Sequence, residues 1–175
     1  VHRGYNEHMD VSADLEELAT TNVNVICAGA KSILDLGRTL EYLETKGVPV
    51  VGYGTDIFPA FFTRESEYKL NIRIDDVKDI AKMIKAKEEL GLKGGVLIAN
   101  PVPEESQLEK AFIDSVIDEA VLECETKGIT GKDVTPFLLA TIVKKTEGRS
   151  LKANIALVFN NAKVGAQVAY AYFNE

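Results

Sequence analysis

A chain of 175 residues, 46% hydrophobic and 27% charged, has an ordinary globular composition and enough length for one real core. Its net charge of −7 and pI near 5.0 argue against a surface built to coat nucleic acid. No apolar run approaches the ~20 residues that span a bilayer, and no signal-peptide pattern is visible. Cys27 and Cys124 have no CxxC partner, so both read as buried free thiols, and a cytoplasmic setting is expected.

Taken in chain order, Ser12 reads as the N-cap of a short helix over residues 13–19, with Asp14, Glu16 and Glu17 near its positive end. Residues 23–27 lack polar alternation and read as a strand covered on both faces. The strand runs into Ala28-Gly29-Ala30, which offers so little side-chain bulk that a close approach to the backbone is expected there, and then into Lys31. Residues 36–46 predict a helix with Leu36, Leu40 and Leu43 on one face and Gly47 past its end. Strands are predicted over 48–53 and, at a sheet edge, over 70–74, with a short aromatic stretch between them at 58–62. A helix follows over 76–90, then a third apolar strand over 96–99. "NPVPEE" (100–105) reads as a rigid loop, since Pro101 and Pro103 disfavour both helix and ladder. The remainder reads as helices over 107–127, 136–146 and 151–173, with Thr135 capping and Pro136 at the first helical position. Strands divided by helices, ending in a helical C-terminal region, predict an α/β fold: layered α/β/α around a mainly parallel sheet. Residues 1–175 read as a single α/β domain, and the abrupt start at Val1 as the C-terminal part of a longer chain.

Several polar residues stand where a plain fold does not require them. Lys31 is either a surface lysine near a helix start or an amine at the carboxyl end of a parallel strand, where open α/β sheets place their ligands. Asp10 and Asp14 bracket Ser12 in "DVSAD"; they are either ordinary helix-start acids or oxygen donors to a hard cation such as Mg²⁺ or Mn²⁺. His2-Arg3-Gly4, with His8 further on, is a candidate phosphate receiver beside that acidic segment. Asn154 and Asn160-Asn161 interrupt an otherwise apolar helix, as core hydrogen-bonding groups or as base-recognition groups. No Walker loop, GxGxxG, zinc pattern or Ser-His-Asp signature is present.

The blocks "VHRG", "DVSADLEELA", "VICAGAKSILDLGRTLEYLETKGVPVVGY", "FPAFFTR", "GGVLIANPVPEE" and "VTPFLLATIVKKTEGRSLKANIALVFNNA" strongly resemble pseudouridine-5′-phosphate glycosidases, also called indigoidine-synthase-A-like proteins. The resemblance spans essentially the whole chain but only the C-terminal portion of the family's usual length. It implies that Lys31 is the Schiff-base lysine, that Asp10 is a Mn²⁺ ligand, and that Ser12, Ala13, Asp14, His2 and Asn154 contact substrate. The implied reaction is the reversible cleavage of pseudouridine 5′-phosphate to uracil and ribose 5-phosphate. It further implies a homotrimer. A glutamate proton donor, a phosphate-binding lysine and a Gly-rich segment are expected from an N-terminal region, in cis or as a separate chain.

That reaction gives the lysine its purpose. Base and sugar are joined by a carbon–carbon bond, so protonating a nitrogen leaving group cannot release the base. A neutral amine can attack C1′, open the ribose ring and become an imine as the bond to uracil C5 breaks and C5 is protonated. Desolvation at a strand end and a nearby cation would both favour the neutral amine. Two rival readings are an aldolase-type Schiff-base sugar-phosphate lyase and a non-catalytic fragment or subunit. Release of uracil rather than a small aldehyde or ketone separates the first rival, and a co-purifying N-terminal piece the second.

Overall fold

The computed structural model describes residues 1–3 and 5–174 and, within them, all side chains but those of Glu7, His8 and Lys132. Among the described residues four short strands form one sheet: β1 (Val25–Cys27), β2 (Val50–Tyr53), β3 (Ile72–Ile74) and β4 (Leu97–Ala99). Their order is β1-β4-β2-β3 and every pairing is parallel. Parallel neighbours need crossover segments; helices lie between β1 and β2 and between β3 and β4, whereas β2 reaches β3 through the non-helical residues 54–71. Before β1 lie α1 (Tyr5–His8) and α2 (Ala13–Thr20); α3 (Leu36–Thr45) and α4 (Val77–Glu89) separate the strands. After β4 come α5 (Lys110–Thr126), α6 (Val134–Lys145) and the long α7 (Arg149–Asn174).

The period-2 alternation of the strands sorts these helices onto two faces. Val25, Cys27, Val50, Leu97 and Ala99 pack with Leu15 and Leu18 of α2 and Leu43 of α3. Ile26, Val51 and Ile98 point the other way, onto Ile80 and Ile84 of α4 and Val164 and Val168 of α7. The α/β/α layering expected from the sequence is therefore present. A third cluster lies beyond the carboxyl ends of the strands. There Ile113, Val116, Ile117 and Ala120 of α5 meet Leu138 and Ile142 of α6, together with Ile33, Phe62 and Ala153.

α7 runs past both regions. Its Leu157 shares a small cluster with Ala28 and Val102, just beyond the ends of β1 and β4. Gly165 brings the helix onto β1, where an added Cβ would meet Ile26 Cδ1 at 3.7 Å. The start of α7 is tied by Thr146, whose Oγ1 accepts from the Ser150 N–H at 3.1 Å, and both residues are buried.

Several expected boundaries move. The predicted strands at 23–27, 48–53 and 70–74 each shorten to their last three or four residues. At the first of them the Asn24 side chain takes over ladder duty, its Oδ1 accepting from the Val96 N–H at 3.1 Å. α6 begins at Val134 rather than at Pro136, because a 3₁₀ turn at Gly131–Asp133 leads into it. Pro136 is tolerated there because the first four helical N–H groups have no intrahelical acceptor. A 3₁₀ turn at Glu104–Ser106 also ends the segment read as a rigid loop.

Candidate active site

The loop leaving β1 is clamped by the chain's own backbone. Gly29 sits at φ +79°, and a Cβ added there would lie 1.8 Å from the Pro59 carbonyl oxygen. Only glycine meets both conditions. Gly29 bridges antiparallel to Ala60, and the Phe61 N–H donates to the Ala28 carbonyl at 3.0 Å. The Ser32 hydroxyl donates to the Ala60 carbonyl. The small residues at 28–30 predict a close approach to the backbone, and at Gly29 that approach is made by residues 59–60.

Lys31 lies between fixed neighbours. Ala28, Ser32 and Ile33 are buried, whereas Lys31 is exposed. Its amine makes no hydrogen bond or ion pair among the described residues. The desolvation expected at the strand end is thus not supplied by this part of the chain. What the fold does supply is placement: an amine on a pinned loop at the carboxyl end of a parallel strand.

Residues 1–3 are stitched to the same loop. The Asp35 N–H donates to the Val1 carbonyl at 3.0 Å, and His2 bridges antiparallel to Leu34. The Arg3 guanidinium donates to the Ser32 carbonyl at 2.9 Å and reaches Asp118 of α5 at 3.4 Å. The His2 N–H donates to the Asp10 carbonyl at 3.0 Å, and His2 Nδ1 lies 3.9 Å from Asp10 Oδ2. The structure therefore brings His2 and Asp10 together against the loop that bears Lys31. Gly4, the last member of the expected phosphate-receiving run, and the His8 side chain lie outside the described residues.

Ser12 caps α2 as read, its Oγ accepting from the Asp14 N–H at 3.3 Å. Ala13 and Asp14 are exposed in the first turn. Glu16 anchors this helix to α3, with Lys46 Nζ at 2.7 Å and the Tyr42 hydroxyl donating to the same oxygen. Those hydrogen bonds, Lys46 first, hold the Glu16 carboxyl below the ordinary carboxylate range. Asn154 is half-buried on α7, and its side chain makes no hydrogen bond among the described residues.

Cys27, at the end of β1, is a free thiol, as is Cys124. Burial pushes the Cys27 thiol up to about 11, against a lowering hydrogen bond from the Gly29 backbone. Half-buried against the core and held in its thiol form near neutral pH, Cys27 is disfavoured as a nucleophile.

Two cavities flank the Lys31–Asp35 loop. One, of about 450 Å³, is lined by Arg3, Ser32, Asp35, Tyr68 and Lys110 among others. The other, of about 850 Å³, is lined by His2, Asp10, Leu34, Cys124 and Thr135 among others. His2 and Asp10 thus border the larger cavity, whereas Lys31, Ser12, Asp14 and Asn154 line neither. Among the described residues no three His, Cys, Asp or Glu side chains form a metal cage. The single Asp10 carboxylate suits only a hard cation that keeps most of its waters.

The family model described as indigoidine synthase A like protein matches residues 1–171. The chain belongs to the indigoidine synthase A-like family. The family resemblance read from the sequence blocks is thereby borne out. A pseudouridine-5′-phosphate glycosidase of Glaesserella parasuis serovar 5 is 61% identical over 173 residues, covering 99% of this chain and 57% of that protein. One of Caldanaerobacter subterraneus subsp. tengcongensis is 62% identical over 169 residues, covering 97% and 55%. Among solved structures, the prealnumycin C-glycosynthase AlnA in complex with ribulose 5-phosphate superposes with a TM-score of 0.91 at 36% identity, covering 98% of this chain and 57% of that one. An indigoidine synthase A-like protein of Thermotoga maritima superposes at 0.85 with 38% identity, covering 98% and 56%. This indigoidine synthase A-like chain thus spans little more than half the length of the relatives it matches.

Local sequence signals pointed to Lys31, Asp10 and the capped start of α2. They gave no sign of Asn100, a buried side chain whose Nδ2 donates to Asn161 Oδ1 at 2.9 Å across 61 positions of sequence. Asn160 is also engaged, donating from Nδ2 to the Pro101 carbonyl at 3.3 Å. Of the two readings open for Asn160-Asn161, the structure bears out core hydrogen bonding.

Proposed function

We propose that the full-length protein carrying residues 1–175 cleaves the carbon–carbon glycosidic bond of pseudouridine 5′-phosphate, reversibly, to uracil and ribose 5-phosphate. The observation that carries this reading is identity of about 60% across nearly the whole chain to proteins named pseudouridine-5′-phosphate glycosidases. The exposed, unpartnered Lys31 on its pinned loop supports the assignment of the nucleophile.

In this reading the neutral Lys31 amine attacks C1′, and the ring oxygen leaves C1′ and takes a proton. The nitrogen lone pair then forms the C1′ imine while the electrons of the C1′–C5 bond pass to uracil C5, which a general acid protonates. Water hydrolyses the imine, releasing ribose 5-phosphate and restoring the amine. Ser12, Ala13, Asp14, His2 and Asn154 hold the sugar phosphate and base around this centre. Asp10 would hold a divalent cation, Mn²⁺ in this proposal, which would supply positive charge to the phosphorylated sugar. The proton donor and the phosphate-binding lysine come from outside residues 1–175.

The proposal includes a homotrimer and a cytoplasmic setting. The exposed row Leu151, Ile155, Val158, Phe159, Tyr170 and Phe173 along α7 supports an assembly, since so continuous an apolar stripe favours cover. No helix among the described residues is long and apolar enough to cross a membrane.

The test is product analysis with the full-length protein. Uracil release in step with ribose 5-phosphate is expected, and residues 1–175 alone are expected to give none. A small aldehyde or ketone in place of uracil would favour an aldolase-type lyase, and full turnover by residues 1–175 alone would place the general acid within them.

A further inference from the structure

We propose that Asn100 and Asn161 form a positioning pair that fixes α7 so that Asn154 stands beside the Lys31 loop. This inference rests on the proposed function. Asn100 is the first residue past β4, and its N–H donates to the Cys27 carbonyl at 2.7 Å, extending the β1–β4 ladder one step beyond the strands. Cys27 pairs with Ala99, so Asn100 stands level with Ala28, three residues before Lys31. The Asn100 side chain is 4% exposed and donates to Asn161 Oδ1 at 2.9 Å. The neighbouring Asn160 donates to the Pro101 carbonyl, so two successive amides of α7 grip the exit of β4.

The direction of α7 makes this grip matter. Val164 and Val168 pack at the level of the strands, Leu157 packs with Ala28 and Val102 beyond them, and the helix starts further out. It therefore runs antiparallel to the sheet, its N-terminal end overhanging the strand ends. Asn154 is seven residues before Asn161, two helical turns on the same face and ~10 Å further out, on the side to which Lys31 leads. Against β1 the helix sets Gly165, which has no side chain to interlock, and beyond the strand ends the small Ala153, next to Asn154, packs in the cluster that holds Ile33, two residues past Lys31. A hydrogen bond between two amides is directional and defines the rotation. Buried polar groups carry such registry roles where packing leaves slack.

The test uses the full-length enzyme. Asn100→Ala and Asn161→Ala should each lower kcat/KM for pseudouridine 5′-phosphate by about 10-fold or more, since a misplacement of ~1 Å can cost 10²-fold. The double variant should lose no more than either single, because both remove one interaction. In an Asn154→Ala background, Asn161→Ala should have almost no further effect. Asn100→Leu with Asn161→Leu removes both polar partners and keeps the volume, so the fold should survive while kcat/KM still falls. Native kcat/KM in that folded leucine pair would overturn the proposal, and so would an undiminished Asn161→Ala loss in the Asn154→Ala background. The two failures separate because native turnover in the same assay reports the proposed function, whereas only the variant-to-native ratio reports the pair.

Discussion

Gly29 and Pro59 occupy each other's space: a Cβ on Gly29 would lie 1.8 Å from the Pro59 carbonyl oxygen. The loop bearing Lys31 is therefore shaped by a backbone-to-backbone contact that no side chain can replace. Gly47 has a similar φ of +71° with nothing within 4 Å of an added Cβ. Gly47→Ala should cost ~1 kcal/mol, the price of positive φ alone. Gly29→Ala should cost at least ~2 kcal/mol and impair turnover, because residues 28–32 must also shift. Urea unfolding of both variants measures this difference, and equal costs would contradict the clamp.

The metal proposal separates two aspartates four residues apart. Asp10→Ala should abolish the response to added Mn²⁺ together with activity, since a largely hydrated cation has few protein ligands to spare. Asp14→Ala should instead raise KM and leave the Mn²⁺ response near native. A Mn²⁺ titration of both variants tests the order, and the reverse outcome would exchange their roles.

Cys27 gives a prediction about alkaline pH. Its folded-state thiol is pushed up to about 11, above an unfolded value near 9. Between those values the unfolded chain has lost a proton that the folded chain retains, so stability is complete below about pH 9 and declines as pH rises towards 11. Cys124 is shifted upward as well, by burial. In a Cys124→Ala background, adding Cys27→Ala should flatten the fall in denaturation midpoint between pH 9 and 11. Iodoacetamide at about pH 8.5 should leave Cys27 unmodified until the protein unfolds. Rapid native labelling would place the thiol in solvent.

Much of the architecture was legible because it is written in local patterns. The Ser12 cap sets the start of α2, as Asp76, whose side chain accepts from the Lys78 N–H at 2.9 Å, sets that of α4. The unbroken apolar runs of β1 and β4 announced strands covered on both faces, which leaves β4 buried and the edge strand β1 half-buried. Boundaries slipped where a side chain or an unusual turn does the backbone's work, as at Asn24 and at the 3₁₀ turn before α6. The small residues before Lys31 were legible as a close approach, but not as an approach by Pro59 rather than a ligand. Asn100 was hidden because its partner on α7 is remote in sequence and its own tetrapeptide, NPVP, reads only as a stiff loop.

Reductive trapping on the full-length enzyme tests the central claim most directly. Borohydride added with ribose 5-phosphate should convert the imine to a stable amine, and peptide mapping should find the pentose phosphate on Lys31. Lys31→Ala should keep the native fold, lose the adduct and lose turnover, because only an exposed side chain is removed. An adduct on another lysine, or turnover that survives Lys31→Ala, would contradict the assignment of Lys31 as the nucleophile.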